Sequence, residues 1–153
     1  MPDKLNLDKT YLKIALTWAT NMSKARRLKV GCIVVNSGQI ISDGFNGTPT
    51  GFDNNCEHES TDLFSCASNS FNENLVTKPE VLHAESNALM KLCKSTNSSL
   101  GSTMYLTHSP CFDCSKLILQ SGIDRVVYNI KYRMDDGINL LKESGVTVDQ
   151  IEI

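Results

Sequence analysis

Hydrophobic side chains recur with two different periods along the chain. From residue 8 to residue 26 they recur at helical spacing, as at Tyr11, Trp18 and Met22, and Asp8 stands where an N-cap is expected. We therefore predict a helix over residues 8–26, with Trp18 and Met22 in the core.

Strand-like runs follow this first helix. Residues 29–36 and 39–43 are rich in β-branched side chains and are separated only by Ser37-Gly38, a short connection that predicts a hairpin. The same two periods predict the remaining elements, namely helices over residues 81–94, 111–120 and 136–144 and strands over residues 103–108, 125–130 and 146–153.

Residues 44–79 differ from the rest of the chain, since they are rich in Gly, Asn, Ser and Thr and show no sustained period. A loop of this length in a compact domain is usually functional or disordered. After it, helices and strands alternate, and this order predicts an α/β sandwich with partly parallel strands. The length of 153 residues and the lack of a linker favour a single domain over residues 1–153.

The charge balance limits the partners that the chain can have. The net charge is −2, with 21% charged and 41% hydrophobic residues, which disfavours an extended basic surface for a polynucleotide. No apolar run reaches the roughly 18 residues of a membrane span, and the first residues lack the apolar core of a signal peptide. We therefore expect a cytoplasmic protein with no membrane partner, whose six cysteines are thiols or metal ligands.

Two cysteines, Cys111 and Cys114, lie at C-x-x-C spacing in the fragment SPCFDC, at the predicted start of a helix. A redox pair and half of a metal site both fit this context. The fragment His83-Ala84-Glu85, at the start of the preceding helix, favours a metal. One imidazole and two thiolates with an open fourth position describe a catalytic zinc. Glu85 lies about 200° around the helix from His83, so it need not be a ligand and can face a water.

The order H-x-E followed by P-C-x-x-C is the signature of zinc-dependent deaminases. In that chemistry zinc supplies hydroxide near neutral pH for attack on the ring carbon that bears the amino group. Glu85 is then the proton shuttle between water, ring nitrogen and leaving ammonia. Two alternatives remain from the motif: a structural zinc, which lacks a fourth ligand, and a dithiol redox pair, which leaves His83 and Glu85 unexplained.

A wider pattern surrounds this signature. It comprises the stretches SKARRLKVGCIVV, ISDGFNGTPTGFDNNC, LHAESNAL, GSTMYLTHSPCFDCSKLILQSGIDRVVY and YRMDDG. With them the chain resembles the deoxycytidylate deaminases of the zinc-dependent cytidine deaminase superfamily. The resemblance runs from Tyr11 to Ile153 and is weakest over residues 57–80. The pairing of GFNGTPTG with HAE and SPCxxC distinguishes this family.

The resemblance implies a fold, a reaction and a regulated assembly. The implied fold is a three-layer α/β/α sandwich around a five-stranded mixed sheet. The implied reaction is hydrolysis of dCMP to dUMP and ammonia, which feeds thymidylate synthesis. The resemblance also implies a homo-oligomer, often a hexamer, activated by dCTP and inhibited by dTTP, with Mg²⁺ accompanying the regulatory nucleotide.

Individual roles follow from the motif positions. The resemblance implies that His83, Cys111 and Cys114 hold Zn²⁺, that Glu85 is the catalytic acid and base, and that Asn46 holds the sugar hydroxyl and nearby backbone. We also assign three further residues to the substrate site: Ala84, Ser109 and Tyr132.

A basic run precedes the first strand and includes Lys24, Arg26, Arg27 and Lys29. Because arginine can bind phosphate through two hydrogen bonds, we predict a phosphate contact at Arg26, assisted by Ser23 or Lys24. The alternative is a solvated helix end, where basic side chains complement the helix dipole.

The stretch GFNGTPTG has two interpretations. Its glycines allow positive φ and close approach of a ligand to the backbone, whereas a tight turn needs the same residues. Since this region serves the regulatory nucleotide in the family, we assign Gly44, Phe45, Gly47 and Thr48 to an effector site. Phe45 stands where the family commonly has Tyr, so a hydroxyl is missing there.

The remaining cysteines have two possible uses. Cys56, His58 and Cys66 offer three ligands for a second zinc, one short of a closed structural site, and the alternative is that the cysteines are buried as small apolar groups. We expect Cys32 and Cys93 to lie in the core.

Overall fold

The structure is a computed structural model that describes residues 3–60 and 74–153. Four helices and seven strands form in this part of the chain. In chain order they are α1 (Lys4–Met22), β1 (Gly31–Asn36), β2 (Gln39–Phe45), β3 (Glu57–Glu59), β4 (Leu75–Thr77), α2 (Ala84–Leu92), β5 (Thr103–His108), α3 (Phe112–Gln120), β6 (Arg125–Ile130), α4 (Asp136–Glu143) and β7 (Thr147–Gln150).

Five strands form one mixed sheet with the order β2-β1-β5-β6-β7. The predicted hairpin is present, with Gly31 opposite Phe45 and Asn36 opposite Gln39. β1 is also antiparallel to β5, whereas β5, β6 and β7 are parallel to one another. The two parallel pairs are joined through α3 and α4, because a parallel connection needs a crossover long enough to hold a helix.

Helices cover both faces of this sheet. On one face α1 packs Leu12 and Ala15 against Ile33, Tyr105 and Val127. The other face is covered by α2, α3 and α4, which bury a larger core. That core includes Cys32, Val34, Ala88, Leu89, Met104, Leu106, Ile118, Val126 and Leu141. Because alternate residues of β1, β5 and β6 face opposite cores, these strands are apolar on both sides. The predicted three-layer α/β/α sandwich is confirmed.

The first helix differs from its prediction in position and in its buried face. It begins at Lys4 and ends at Met22, so Asp8 is not the N-cap but a buried residue inside the helix. The expectation that Met22 lies in the core is wrong, since 44% of this residue is exposed. The buried face is instead formed by small and aliphatic residues beside Asp8, namely Leu12, Ala15 and Ala19.

The stretch predicted as an aperiodic loop holds a short antiparallel ribbon of β3 and β4, with Glu57 opposite Thr77. The missed ribbon has only three residues per strand, too few for a period to be visible. Cys32 is fully buried as expected, whereas Cys93 caps the end of α2 and is exposed. Within residues 3–60 and 74–153, no helix combines the length and apolar character that crossing a bilayer requires.

Candidate active site

Two helix N-termini meet beside the carboxyl end of the central strand β5. His83 is the extended residue directly before α2, and Cys111 is the extended residue directly before α3. Cys114 lies in the first turn of α3 and its backbone N–H donates to the Cys111 sulfur. The Nδ1 atom of His83 lies 3.5 Å from the Cys111 sulfur and 3.4 Å from the Cys114 sulfur.

These three side chains suit a zinc ion. Their ligand atoms all lie within 4.8 Å of one another. Zn–S and Zn–N bonds of about 2.3 and 2.1 Å at tetrahedral angles place nitrogen and sulfur ligands about 3.6 Å apart, close to the separations found here. In the described part of the chain, no other group of three such ligands comes together. One nitrogen and two sulfurs leave the fourth position of a tetrahedron open, as catalytic zinc sites require.

The protonation of the three groups is coupled. Hydrogen bonds with Cys114 and His83 lower the pKa of Cys111 to about 4. The same contact with Cys111 raises the pKa of Cys114, because the two thiols share one proton. The hydrogen bond to Cys111 raises the pKa of His83 above its usual value. A divalent cation removes this sharing, since a coordinating thiol loses its proton outright.

Glu85 stands beside this cluster in the first turn of α2. Only 4% of the residue is exposed, and burial raises the pKa of its carboxyl above the usual value despite hydrogen bonds to its own backbone N–H and to Cys114. A carboxyl group with a raised pKa is suited to both accept and return a proton. Glu85 lines the same cavity as His83 and Cys111.

The cavity that opens over this cluster is lined by residues from both halves of the chain. Seven of the predicted site residues line it: Asn46, His83, Ala84, Glu85, Ser109, Cys111 and Tyr132. His108, which directly precedes the cysteine turn and which the sequence predicts as a pocket-lining residue rather than a ligand, also lines it. The remaining lining residues, which the sequence does not single out, are Arg27, Leu28, Val30, Thr77 and Val81. Cys114 lies behind the wall and is buried.

Asn46 braces one wall of the cavity. Its Oδ1 accepts hydrogen bonds from Ser23 and from the N–H of Val30, at 2.7 and 2.9 Å. Its Nδ2 donates to the Leu28 carbonyl at 2.7 Å. Since an amide nitrogen has two donors, one N–H of Asn46 remains for a ligand. Ser23 is itself buried and acts on Asn46 rather than lining the cavity.

The basic run is split between the cavity and the surface. Arg27 lines the cavity, whereas Lys24 and Arg26 are not among the lining residues. Arg26 instead contacts the buried carboxylate of Glu57, with Nε 3.6 Å from Oε2 and 55% of its side chain exposed. The connection between α1 and β1 is irregular, so it has no hydrophobic period that would show which of two adjacent side chains faces inward. The sequence therefore does not indicate that Arg27 lines the cavity.

Ser109 links two cavity loops. Its hydroxyl accepts the N–H of Tyr132 at 2.7 Å, and its own N–H donates to the carbonyl of Ile130. The loop after β6 is thereby fixed beside the cysteine turn, with Tyr132 in the cavity wall. Ala84, the first residue of α2, is fully buried under the cavity.

Gly44 of the predicted effector set is required for packing. A Cβ atom there would lie 2.1 Å from the Ala84 carbonyl and 2.8 Å from the Ala88 nitrogen, so α2 can approach β2 only over a glycine. Neither Gly44 nor Gly47 has the positive φ that glycine allows, whereas Gly51 of the same GFNGTPTG stretch does.

The other effector candidates are also held by the chain itself. Gly47 pairs with Leu82 through two backbone hydrogen bonds. The carbonyl of Phe45 accepts from Asn87 at 2.7 Å, and the Thr48 hydroxyl donates to the carbonyl of Asp53. All four residues lie outside the lining of the cavity that holds Glu85.

The second zinc prediction falls partly outside the described residues, because Cys66 lies there. Cys56 is buried in a small apolar cluster with Ala25 and Val81, as the alternative interpretation of the cysteines expects. His58 is exposed on β3.

Comparisons with known proteins agree with this geometry. The family model described as the cytidine and deoxycytidylate deaminase zinc-binding region matches residues 5–130. The deoxycytidylate deaminase of Saccharomyces cerevisiae is 34% identical over 94% of this chain, which spans only 44% of the yeast protein's length. The deoxycytidylate deaminase of Enterobacteria phage T4 is 33% identical, over 91% of this chain and 86% of the phage protein.

Solved structures give the same result. The dCMP deaminase from the cyanophage S-TIM5, in complex with dCMP and dUMP, is 41% identical with a TM-score of 0.83, over 98% of this chain and 100% of that one. A tRNA:A34 deaminase, at 16% identity and a TM-score of 0.59, shares the fold alone. The match to the family model and the extent of the matches to relatives lead to one conclusion: this chain belongs to the cytidine and deoxycytidylate deaminase family.

Proposed function

We propose that the protein catalyses hydrolytic deamination of dCMP, giving dUMP and ammonia. One observation carries this proposal: a single cavity is lined by residues of a zinc-type His/Cys cluster, by the buried acid Glu85 and by the basic residue Arg27. The first two suit hydrolysis at an amine-bearing ring carbon, and the third suits a substrate phosphate. The 41% identity to a dCMP deaminase solved with dCMP and dUMP supports the same substrate.

His83, Cys111 and Cys114 would hold the zinc, which when bound would supply Lewis-acid activation of water. Glu85 then moves the protons. Its carboxylate accepts a proton as the water oxygen bonds to the ring carbon, and the resulting carboxylic acid protonates the adjacent ring nitrogen. Glu85, again a carboxylate, then takes the second proton from the hydroxyl now bonded to the ring carbon and delivers it to the amine. The carbon–nitrogen bond breaks, ammonia leaves and the ring carbon keeps a carbonyl.

The rest of the cavity orients the nucleotide. Arg27 is the lining residue of the described chain that carries a permanent positive charge, and we assign the phosphate contact to it in place of Arg26. The remaining N–H of Asn46 is placed to donate to a sugar hydroxyl. Ala84, Ser109 and Tyr132 complete the substrate wall, and the buried Ser23 supports it through its hydrogen bond to Asn46. Lys24 is exposed outside the cavity lining and adds positive charge near it only through its position in the basic run.

Assembly and regulation form a second layer of the proposal. We propose a cytoplasmic homo-oligomer, a hexamer as in the family it resembles, activated by dCTP and inhibited by dTTP with Mg²⁺ on the triphosphate. The resemblance supports all of these features. A subunit contact is further supported by Met90 and Leu117, which are about half exposed beside a shallow, mainly apolar groove between α2 and α3.

The substrate assignment is tested by ammonia release from dCMP, deoxycytidine, dCTP and adenosine, each with and without added dCTP as effector. We expect dCMP to be the best substrate by at least about tenfold in kcat/KM, because one charged contact contributes on that order. Equal rates for dCMP and deoxycytidine would contradict the phosphate contact. Preference for adenosine would contradict the substrate class.

A further inference from the structure

Glu57, the first residue of β3, is a buried carboxylate outside the groups that the proposed reaction uses. Only 1% of the residue is exposed. Its Oε1 atom accepts two backbone N–H groups of the connection between α1 and β1, those of Arg26 at 2.9 Å and Arg27 at 3.1 Å. These are adjacent donors on one short segment, so a single oxygen fixes the path of the chain there.

Within the described residues, few polar groups surround the carboxylate of Glu57. The second oxygen, Oε2, is buried and makes no hydrogen bond, and the nearest cation is Arg26 Nε at 3.6 Å. Burying a carboxylate is costly unless charged or polar groups compensate it. The two N–H groups are therefore the main compensation, and the free energy of the buried charge depends on keeping both in place.

The segment that Glu57 holds forms one wall of the cavity. Arg27, Leu28 and Val30 line it from the connection before β1. Thr77, which is paired with Glu57 across the β3–β4 ribbon, also lines the cavity. Glu57 thus joins the ribbon to the segment that carries Arg27 into the cavity.

We propose that Glu57 is a positioning residue for nucleotide recognition. Its buried carboxylate fixes the backbone of residues 26 and 27, so that Arg27 points its guanidinium at the substrate phosphate while the Arg26 side chain is directed to Glu57. This inference rests on the proposed function, because it assigns Arg27 to the phosphate of dCMP. Glu57 itself touches neither the substrate nor the reacting atoms.

The test is the substrate preference of Glu57→Gln, which keeps the shape and one acceptor oxygen but loses the charge. We expect KM for dCMP to rise and kcat/KM to fall about tenfold, with kcat and the values for deoxycytidine changed less than about twofold. Glu57→Asp retains the charge at a shorter reach and gives the same readout if the glutamine variant does not fold. The matched control is Glu59→Gln, which removes an exposed carboxylate from the same strand and leaves both substrates unaffected.

A double-mutant cycle with Arg27→Ala identifies the route of the effect. If Glu57 acts through Arg27, Glu57→Gln has little further effect on dCMP in the Arg27→Ala background. Equal losses on dCMP and deoxycytidine in a folded variant, or additive effects in the cycle, would overturn the positioning role alone. A wild-type protein with no turnover of dCMP would instead overturn the proposed function.

Discussion

Two carboxylates are buried on opposite faces of the central sheet, and their pKa values are shifted in opposite directions. Asp8 lies under α1 with 3% of its surface exposed, and Glu85 lies at the start of α2 with 4% exposed. Burial raises the pKa of each, yet the pKa of Asp8 ends below its usual value and that of Glu85 ends above it. The groups around each carboxylate decide the sign.

The α1 side supplies a permanent cation. Arg125 donates to both oxygens of Asp8 at 2.8 Å, and Tyr105 donates to Oδ1 at 2.7 Å. These charge-assisted bonds outweigh the cost of burial, so Asp8 stays ionised. Glu85 receives its hydrogen bonds from neutral donors, its own backbone N–H and Cys114, and burial prevails. One face therefore pairs its buried acid with a cation, and the other holds a buried acid with a raised pKa, as the proposed proton transfer requires.

The largest effect is expected from a change in the metal cluster. Cys111→Ser replaces a sulfur ligand with a hydroxyl that remains protonated, so we expect loss of bound zinc and of all measurable turnover of dCMP. Elemental analysis and ammonia release measure the two losses. Cys93→Ser, at an exposed cysteine away from the site, is the control and should retain both. Full zinc content in Cys111→Ser would contradict the ligand assignment.

Glu85→Gln separates proton transfer from folding. We expect turnover to fall by about 100- to 10,000-fold, because the amide cannot carry the proton, while zinc content and melting temperature stay near those of the wild type. Steady-state kinetics and thermal unfolding on the same preparation measure this. A variant that retains full turnover would remove Glu85 from the mechanism.

Substitution of the neighbouring residues Arg26 and Arg27 tests which of them contacts the substrate phosphate. Arg27→Ala should lower kcat/KM for dCMP about 10- to 100-fold and leave deoxycytidine nearly unchanged, because only the nucleotide carries the phosphate. Arg26→Ala, the change favoured by the sequence, should have the smaller effect, since its side chain is directed to Glu57. The reverse order would restore Arg26 as the phosphate contact.

Asp8→Asn has the smallest expected effect on activity, because it changes the other face. It removes the charge that Arg125 on β6 and Tyr105 on β5 compensate, and it leaves Arg125 with Asp149 on β7. We expect the free energy of unfolding to fall by about 2 kcal/mol at neutral pH, with turnover of dCMP unchanged.

The pH dependence of this stability difference follows from the lowered pKa of Asp8. Its contribution is complete above the usual value of 3.8 and is lost as the pH falls through the lower folded value. In urea titrations, the free energies of unfolding of the wild type and Asp8→Asn should therefore converge below pH 3.8. Lys4 also lowers the pKa of Asp8, by less than Arg125 does. A difference that is constant with pH would show that the pair does not control this stability.

The sequence is sufficient to predict the helices and strands with a clear hydrophobic period, and the residues of the His/Cys cluster. β5 and β6 have the predicted bounds because apolar runs buried on both faces are easy to recognise. The predicted ligands lie at the N-termini of two helices, His83 before α2 and the two cysteines at the start of α3. The start of a helix can be recognised from the neighbouring residues in the sequence. The hairpin can also be predicted from neighbouring residues, because its two-residue turn lies between two runs rich in β-branched side chains.

Three positions that the sequence does not resolve depend on distant partners. The sequence placed Asp8 at a helix end because the compensating Arg125 is 117 positions away. It cannot distinguish Arg27, which lines the cavity, from Arg26, which does not, because Glu57, which accepts both backbone N–H groups, lies in a stretch without a period. It interpreted Gly44 through ligand approach or turn geometry, although the backbone of α2 is what requires the glycine. Each of these positions depends on which neighbour a residue meets after the chain has folded.

The most direct test of the account measures metal and turnover on the same sample. Elemental analysis of protein purified without chelator should find about one zinc per chain, and that preparation should release ammonia from dCMP, lose the activity on metal removal and regain it when zinc is added. A preparation that contains no bound metal and still deaminates dCMP at full rate would contradict the account.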